Sequence, residues 1–139
     1  MTLNKTIRHT IESKLSELRA IEKVTHDICQ TCGLTVDQQE NISIAVTEAV
    51  GNAIVHGNQY DPSKKVHIEY HITDRDIEIS IQDEGEGFNP DAVPDPLHPD
   101  NLMKESGRGI FILTELMDDV QYDMSGPGTK IKLVLHYGK

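Results

Sequence analysis

An α/β two-layer sandwich, with a mixed, mainly antiparallel sheet covered on one face by helices, is the fold class that these 139 residues predict. Three observations predict it. Apolar residues recur at helical spacing early in the chain, first as Leu15, Leu18, Ile21, Val24 and Ile28, then as Ile42, Ala45, Val46, Ala49, Val50 and Ala53. Strict alternation follows, with Val66, Ile68, Tyr70 and Ile72 on one segment and Ile77, Ile79 and Ile81 on the next. The intervening positions His67, Glu69, His71, Glu78, Ser80 and Gln82 are polar, so only one face of the sheet asks for cover. The length suits one hydrophobic core, and 1–139 reads as a single domain.

The elements follow in order. A strand is expected over Thr6 to Glu12, around Ile7 and Ile11, leading into a helix from about Lys14 to Cys32 with Gly33 as its C-terminal cap. Thr35 with Gln38 three residues on has the form of a capping box and begins a second helix. Thr73-Asp-Arg-Asp76 joins the two alternating segments into an antiparallel hairpin. A third helix is expected from about Gly109 to Met117. A last pair of strands, Val120 to Met124 and Thr129 to Tyr137, flanks the turn Ser125-Gly-Pro-Gly128. Between Phe88 and Ser106 stand Pro90, Pro94, Pro96 and Pro99 with no sustained period, which excludes core sheet or a long helix. A connection of that length suits a lid or binding loop, or else a plain surface loop.

Composition narrows the function. With no tryptophan and only 4% aromatics, aliphatic side chains must fill the core. A net charge of −10 without any basic cluster disfavours binding to a nucleic-acid backbone, so a role in gene expression would run through a protein partner. No apolar run approaches the roughly 20 residues needed to cross a bilayer, and Met-Thr-Leu-Asn-Lys lacks the apolar core of a secretory signal, which leaves the cytoplasm as the expected compartment. Cys29 and Cys32 have the spacing of a redox pair or half a zinc site. They close a helix instead of opening one, and two further ligands are missing, so they are expected to be small apolar residues near a helix end. His67 and His71, on one strand face, are expected on a solvated surface.

Three islands carry the chemistry: Glu48-Ala-Val-Gly-Asn52-Ala-Ile-Val-His56-Gly57, Asp83-Glu-Gly85-Glu-Gly87-Phe88 and Ser106-Gly107-Arg108-Gly109. In the first, a carboxylate, an amide and an imidazole recur at i, i+4 and i+8, close to one helix face because four residues overshoot a turn by only about 40°. The second sets a carboxylate just after a strand, with glycines where backbone can approach a ligand closely. The third opens a helix, whose free N–H groups and positive dipole end suit an anion. Together they read as a nucleotide site.

The order and residue types resemble the N, G1 and G2 boxes of the GHKL superfamily, the Bergerat-type ATP-binding fold of gyrase, Hsp90, mismatch-repair ATPases and histidine kinases. Within it, Glu-Ala-Val-x-Asn-Ala-Ile-x-His-Gly and Gly-Arg-Gly-Ile-Phe-Ile-Leu-Thr-Glu-Leu-Met-Asp look like the anti-sigma factor serine-protein kinases. The resemblance implies ATP with Mg2+, a lid at about 88–106, a general-base role for Glu48, a sigma factor and an anti-sigma factor antagonist as protein partners, and a homodimer.

What ATP needs gives the remaining roles. Asp83 can accept from the adenine amino group, where guanine presents a carbonyl. Gly85 and Gly87 let the backbone curve beneath the base, and Thr129 resembles the family's threonine near the adenine. Asn52 offers Mg2+ a neutral oxygen. Gly107 and Gly109 would hold the phosphates, with Arg108 and Lys104 supplying charge; Arg108 can equally point to solvent. Glu48, one turn before Asn52, can take a proton from an attacking hydroxyl or water. His56 matches the family's histidine, but can also cap the helix or line the lid. Two other function classes compete with the kinase. The catalytic module of a two-component histidine kinase would be expected to carry a phosphoacceptor helix ahead of the fold, and a nucleotide-gated binding module would transfer nothing.

Overall fold

The computed structural model describes residues 3–85, 113–123 and 128–137. The segment 88–106 expected to form a lid, the glycines of the third island and most of the turn before Gly128 lie outside them.

Strand β1 (Asn4–Glu12) leads through a single 3-10 turn (Leu15–Glu17) into helix α1 (Leu18–Cys32), and helix α2 (Val36–Asn52) follows. Then come the hairpin strands β2 (Lys65–Thr73) and β3 (Asp76–Gln82), and the strands β4 (Asp119–Asp123) and β5 (Lys130–His136). All five strands form one sheet in the order β1-β2-β3-β5-β4, and each pairing is antiparallel. The expected sheet was mixed and mainly antiparallel; among the described residues it is antiparallel throughout, with no parallel pair.

Local signals set the helix ends as expected. Gly33 caps α1 in the left-handed conformation at φ 68°. Thr35 and Gln38 make a reciprocal capping box, with Gln38 N–H donating to Thr35 Oγ1 and Thr35 N–H to Gln38 Oε1. The start of α1 differs from expectation. Lys14 makes no side-chain cap, and the neighbouring Ser13 hydroxyl, a good capping group, instead donates to Lys64 O at 2.6 Å. The chain therefore enters through the 3-10 turn, and Leu15 stays 45% exposed instead of joining the core. Strand β1 also begins earlier than its apolar pattern shows, because Asn4 pairs opposite Thr73.

The core lies between the helices and one sheet face. Ile21 and Ile28 of α1, with Ile42, Val46 and Val50 of α2, meet Ile68, Tyr70, Ile77, Ile79 and Leu133 of the sheet. Residues 113–116 are helical, which matches the last part of the expected third helix, and Leu113 and Met117 are buried in the same core. One polar pair crosses it. The Thr25 hydroxyl donates to Ile21 O, so the fully buried Tyr70 hydroxyl must donate to Thr25 Oγ1, at 2.8 Å. Burial pushes the Tyr70 phenol up to about 12.

The opposite sheet face stays wet and polar, as the alternation requires. Arg8 pairs with Glu69 at 2.9 Å, Lys132 lies 3.4 Å from Glu78, and Thr6 meets His71. Cys29 is a core residue whose thiol is pushed by burial up to about 11, hence protonated and inert near neutral pH; both cysteines are free. Among the described residues no His, Cys, Asp or Glu cluster could hold a metal ion, and no helix is long and apolar enough to cross a membrane.

Candidate nucleotide site

The carboxylate at the end of β3 organises the site. Asp83 is buried, 6% exposed, and its Oδ1 accepts from Gly85 N–H and Thr129 N–H, each at 3.0 Å. Asp83 N–H in turn donates to Thr129 O at 3.1 Å, so the residue is locked to the entry of β5 from both sides. No described residue donates to Oδ2, which leaves that oxygen for a ligand donor.

Three backbones close around this carboxylate, and none of the three glycines tolerates a side chain. A Cβ on Gly57 would stand 2.2 Å from Asp83 Oδ2, and one on Gly128, which sits at φ 77°, would stand 2.2 Å from Asp83 O. Gly85 lies against Gly57 O in the same cluster. Gly57 and Gly128 were not among the residues assigned to the site from the sequence. A glycine directly after the imidazole, and another ending the turn before Thr129, were the available signals.

Helix α2 carries the first island to this point. Glu48 and Asn52 lie one turn apart within it, both half-buried, and no described residue hydrogen-bonds to either side chain. Beyond Asn52 the helix widens into a π turn (Ala53–Gly57), closed by Asn58 N–H donating to Ala53 O at 2.8 Å. A wider turn needs more residues to come round. The expected one-face register therefore holds from Glu48 to Asn52 but not on to His56, which is exposed.

Asn58 follows the π turn and is only 1% exposed. Its amide is saturated: Nδ2 donates to Ser13 Oγ at 3.0 Å and Lys65 O at 2.9 Å, while Oδ1 accepts from Glu84 N–H at 2.8 Å. The Glu84 side chain reaches back, accepting from Lys65 N–H at 2.7 Å and pairing with His67 Nε2 at 2.8 Å. The hydrogen bond from His67, then that from Lys65, holds the Glu84 carboxyl below its ordinary value. A single asparagine after His-Gly reads as an ordinary loop residue, so nothing in the sequence marked this one.

Of the residues proposed from sequence, Asp83, Gly85 and Thr129 are thus in direct contact, and Glu48 and Asn52 share the helix whose end touches Asp83. Gly87, Gly107, Arg108 and Gly109 lie outside the described residues.

A glycine-walled carboxylate at a strand end, set against the end of a helix bearing Glu and Asn, defines a nucleotide-binding ATPase domain, and the model of the histidine kinase-like ATPase domain family matches residues 11–135. The anti-sigma F factor of Oceanobacillus iheyensis is 37% identical over 109 residues, covering 76% of this chain and 74% of its own. The serine-protein kinase RsbW of Halalkalibacterium halodurans is 31% identical over 122 residues, covering 84% of this chain and 74% of its own. The fold matches a solved structure of the RsbU and RsbW domains of a Mycobacterium tuberculosis protein with a TM-score of 0.69 at 16% identity; the match takes in 94% of this chain and 31% of that one. The chain belongs to the histidine kinase-like ATPase family, among the anti-sigma factor serine-protein kinases.

Proposed function

We propose that this chain is an ATP-dependent serine/threonine-protein kinase and anti-sigma factor of a partner-switching system, which binds a sigma factor and phosphorylates an anti-sigma factor antagonist. The observation that carries the reading is Asp83, buried at the end of β3 with Oδ1 clamped by two N–H groups and Oδ2 left for the amino group of adenine. The relatives named as anti-sigma factor and as serine-protein kinase support the choice of chemistry.

Each residue then has a task. Asp83 selects adenine over guanine, because guanine would set a carbonyl against a carboxylate. Thr129 and Gly85 hold Asp83 in place, and Gly57 leaves room for the Asp83 carboxylate by having no side chain. Asn52 fits Mg2+ as a neutral oxygen ligand, being half-buried with no competing partner among the described residues. When bound, that ion offsets phosphate charge. Glu48 accepts the proton of the serine or threonine hydroxyl as its oxygen bonds to the γ-phosphorus, and the bond from that phosphorus to the β,γ-bridging oxygen breaks to release ADP. His56, Gly87, Gly107, Arg108 and Gly109 contact the phosphates or the 88–106 lid. The protein works in the cytoplasm as a homodimer.

The test pairs two measurements. Calorimetry should find ATP and ADP binding that prefers adenine and depends in part on Mg2+. Affinity capture from the source cell with ADP or ATP present should yield a small antagonist-like protein that accepts radiolabelled phosphate. Nucleotide binding without transfer to any captured protein would favour the nucleotide-gated binding module.

A further inference from the structure

We infer that Asn58 is a positioning residue for adenine recognition, holding the Asp83–Gly85 segment in its binding geometry through the Glu84 N–H. The inference rests on the nucleotide reading of Asp83 given above. Three strand and helix junctions meet at this amide: Ser13 between β1 and α1, Lys65 at the start of β2, and Glu84 just beyond β3. Both Nδ2 hydrogens and Oδ1 are used, at 1% exposure, so removing the amide breaks three hydrogen bonds at once and takes the side-chain acceptor from the Glu84 N–H.

The placement matters because Glu84 links Asp83 to Gly85, one of the two donors of the clamp. Asp83 takes its carboxylate bonds from Gly85 on one side and Thr129 on the other. Gly85 can donate to Asp83 only while the chain keeps its turn at Glu84, and Asn58 Oδ1 holds the Asp83–Glu84 peptide that begins this turn through the Glu84 N–H. The chain reaches Asn58 from the π turn and leaves it through Gln59 and Tyr60, both at positive φ (53° and 59°). Two consecutive non-glycine residues in that region are costly and persist only where surrounding contacts enforce them. The π turn and the left-handed pair together deliver one side chain to the back of the adenine loop.

The experiment has an arm on the native chain and an arm on variants. In the nucleotide-free native protein, the Glu84 amide should exchange with deuterium far more slowly than in a free peptide; exchange at the peptide rate would overturn the inference. Asn58→Leu, which keeps the branching and heavy-atom count of the side chain and removes the amide, should weaken ADP binding about tenfold and lower the ATP-over-GTP preference, measured below its own melting temperature. Asn58→Asp keeps an acceptor for the Glu84 N–H and should retain the preference even though it melts earlier. Thr25→Val, a core lesion remote from the loop, should lower the melting temperature and leave the preference untouched. Native binding of ADP together with unchanged affinity and preference in Asn58→Leu overturns the role of Asn58 alone. A native chain that binds no nucleotide overturns the reading of Asp83 as well. An equal loss of preference in Thr25→Val reduces Asn58 to a stability residue and refutes positioning.

Discussion

Gly57→Ala should be worse for nucleotide binding than for folding, although alanine is the better helix former by about 1 kcal/mol. The added methyl would stand 2.2 Å from Asp83 Oδ2 and 2.4 Å from its Cγ, whereas ordinary contact begins at 3.4 Å, so the carboxylate must retreat by more than 1 Å. That movement pulls Oδ1 off two N–H groups now at 3.0 Å and takes Oδ2 away from the adenine amino group. A hydrogen bond to a charged acceptor contributes about 1.5–3 kcal/mol, which corresponds to a loss of about 10- to 150-fold in ADP affinity. Gly51→Ala is the matched control. It lies in the same helix, a Cβ there meets nothing within 4 Å, and the substitution should raise the melting temperature by a few degrees. Calorimetric titration of both variants with ADP, beside thermal melts, separates the effects. Gly57→Ala binding ADP within about twofold of the parent would show that Asp83 is not the adenine acceptor, or that its position does not matter.

Glu48→Gln should keep nucleotide affinity and lose about 10²- to 10⁴-fold in the rate of phosphate transfer to the captured partner, read by radiolabel incorporation; a parental rate would make Glu48 structural. Thr25→Val should cost about 1–3 kcal/mol by stranding the Tyr70 hydroxyl, Tyr70→Phe less, and the pair together less than the sum, as urea denaturation of the four proteins would report. The Glu84 carboxyl is held below its ordinary value by His67, so its share of stability is complete above the unfolded value, near 4.5, and is lost as the pH falls through the lowered folded value. The melting temperature of Glu84→Gln should therefore fall less than that of the parent on acidification below pH 4.5; parallel curves would show that the pair contributes nothing.

How far the sequence could be read depended on the range of each signal. The capping box at Thr35 and Gln38, the left-handed Gly33 and the alternation from Val66 to Ile81 act within a few residues, and each was visible. The 3-10 entry to α1 was not, because the competing partner of Ser13 is Lys64, far along the chain. The π turn was hidden for a different reason. Ala53, Ile54 and Val55 continue the apolar run of α2, and a shift from i→i+4 to i→i+5 bonding leaves no mark in composition. At the site, Asp83 and Gly85 were legible as residue types that a nucleotide requires, and Thr129 only through the family resemblance. Gly57, Gly128 and Asn58 serve the protein's own packing against Asp83 and Glu84, a requirement that exists only once the chain has folded.

Strand β1 sits at the sheet edge, and its only partner among the described residues is β2, with Asn4 opposite Thr73 and both helices intervening. The hairpin of β2 and β3, with Ile72 opposite Ile77, closes locally by comparison. Loop-closure entropy therefore makes the β1–β2 pairing form later than the hairpin, and an edge strand is free to fray in native-state opening. Ser13, which accepts from Asn58, follows directly on that strand. Ligand affinity and the kinetics of the amino-terminal strand are thereby linked: bound nucleotide should slow the fraying of β1, at a distance in sequence from every residue that touches it.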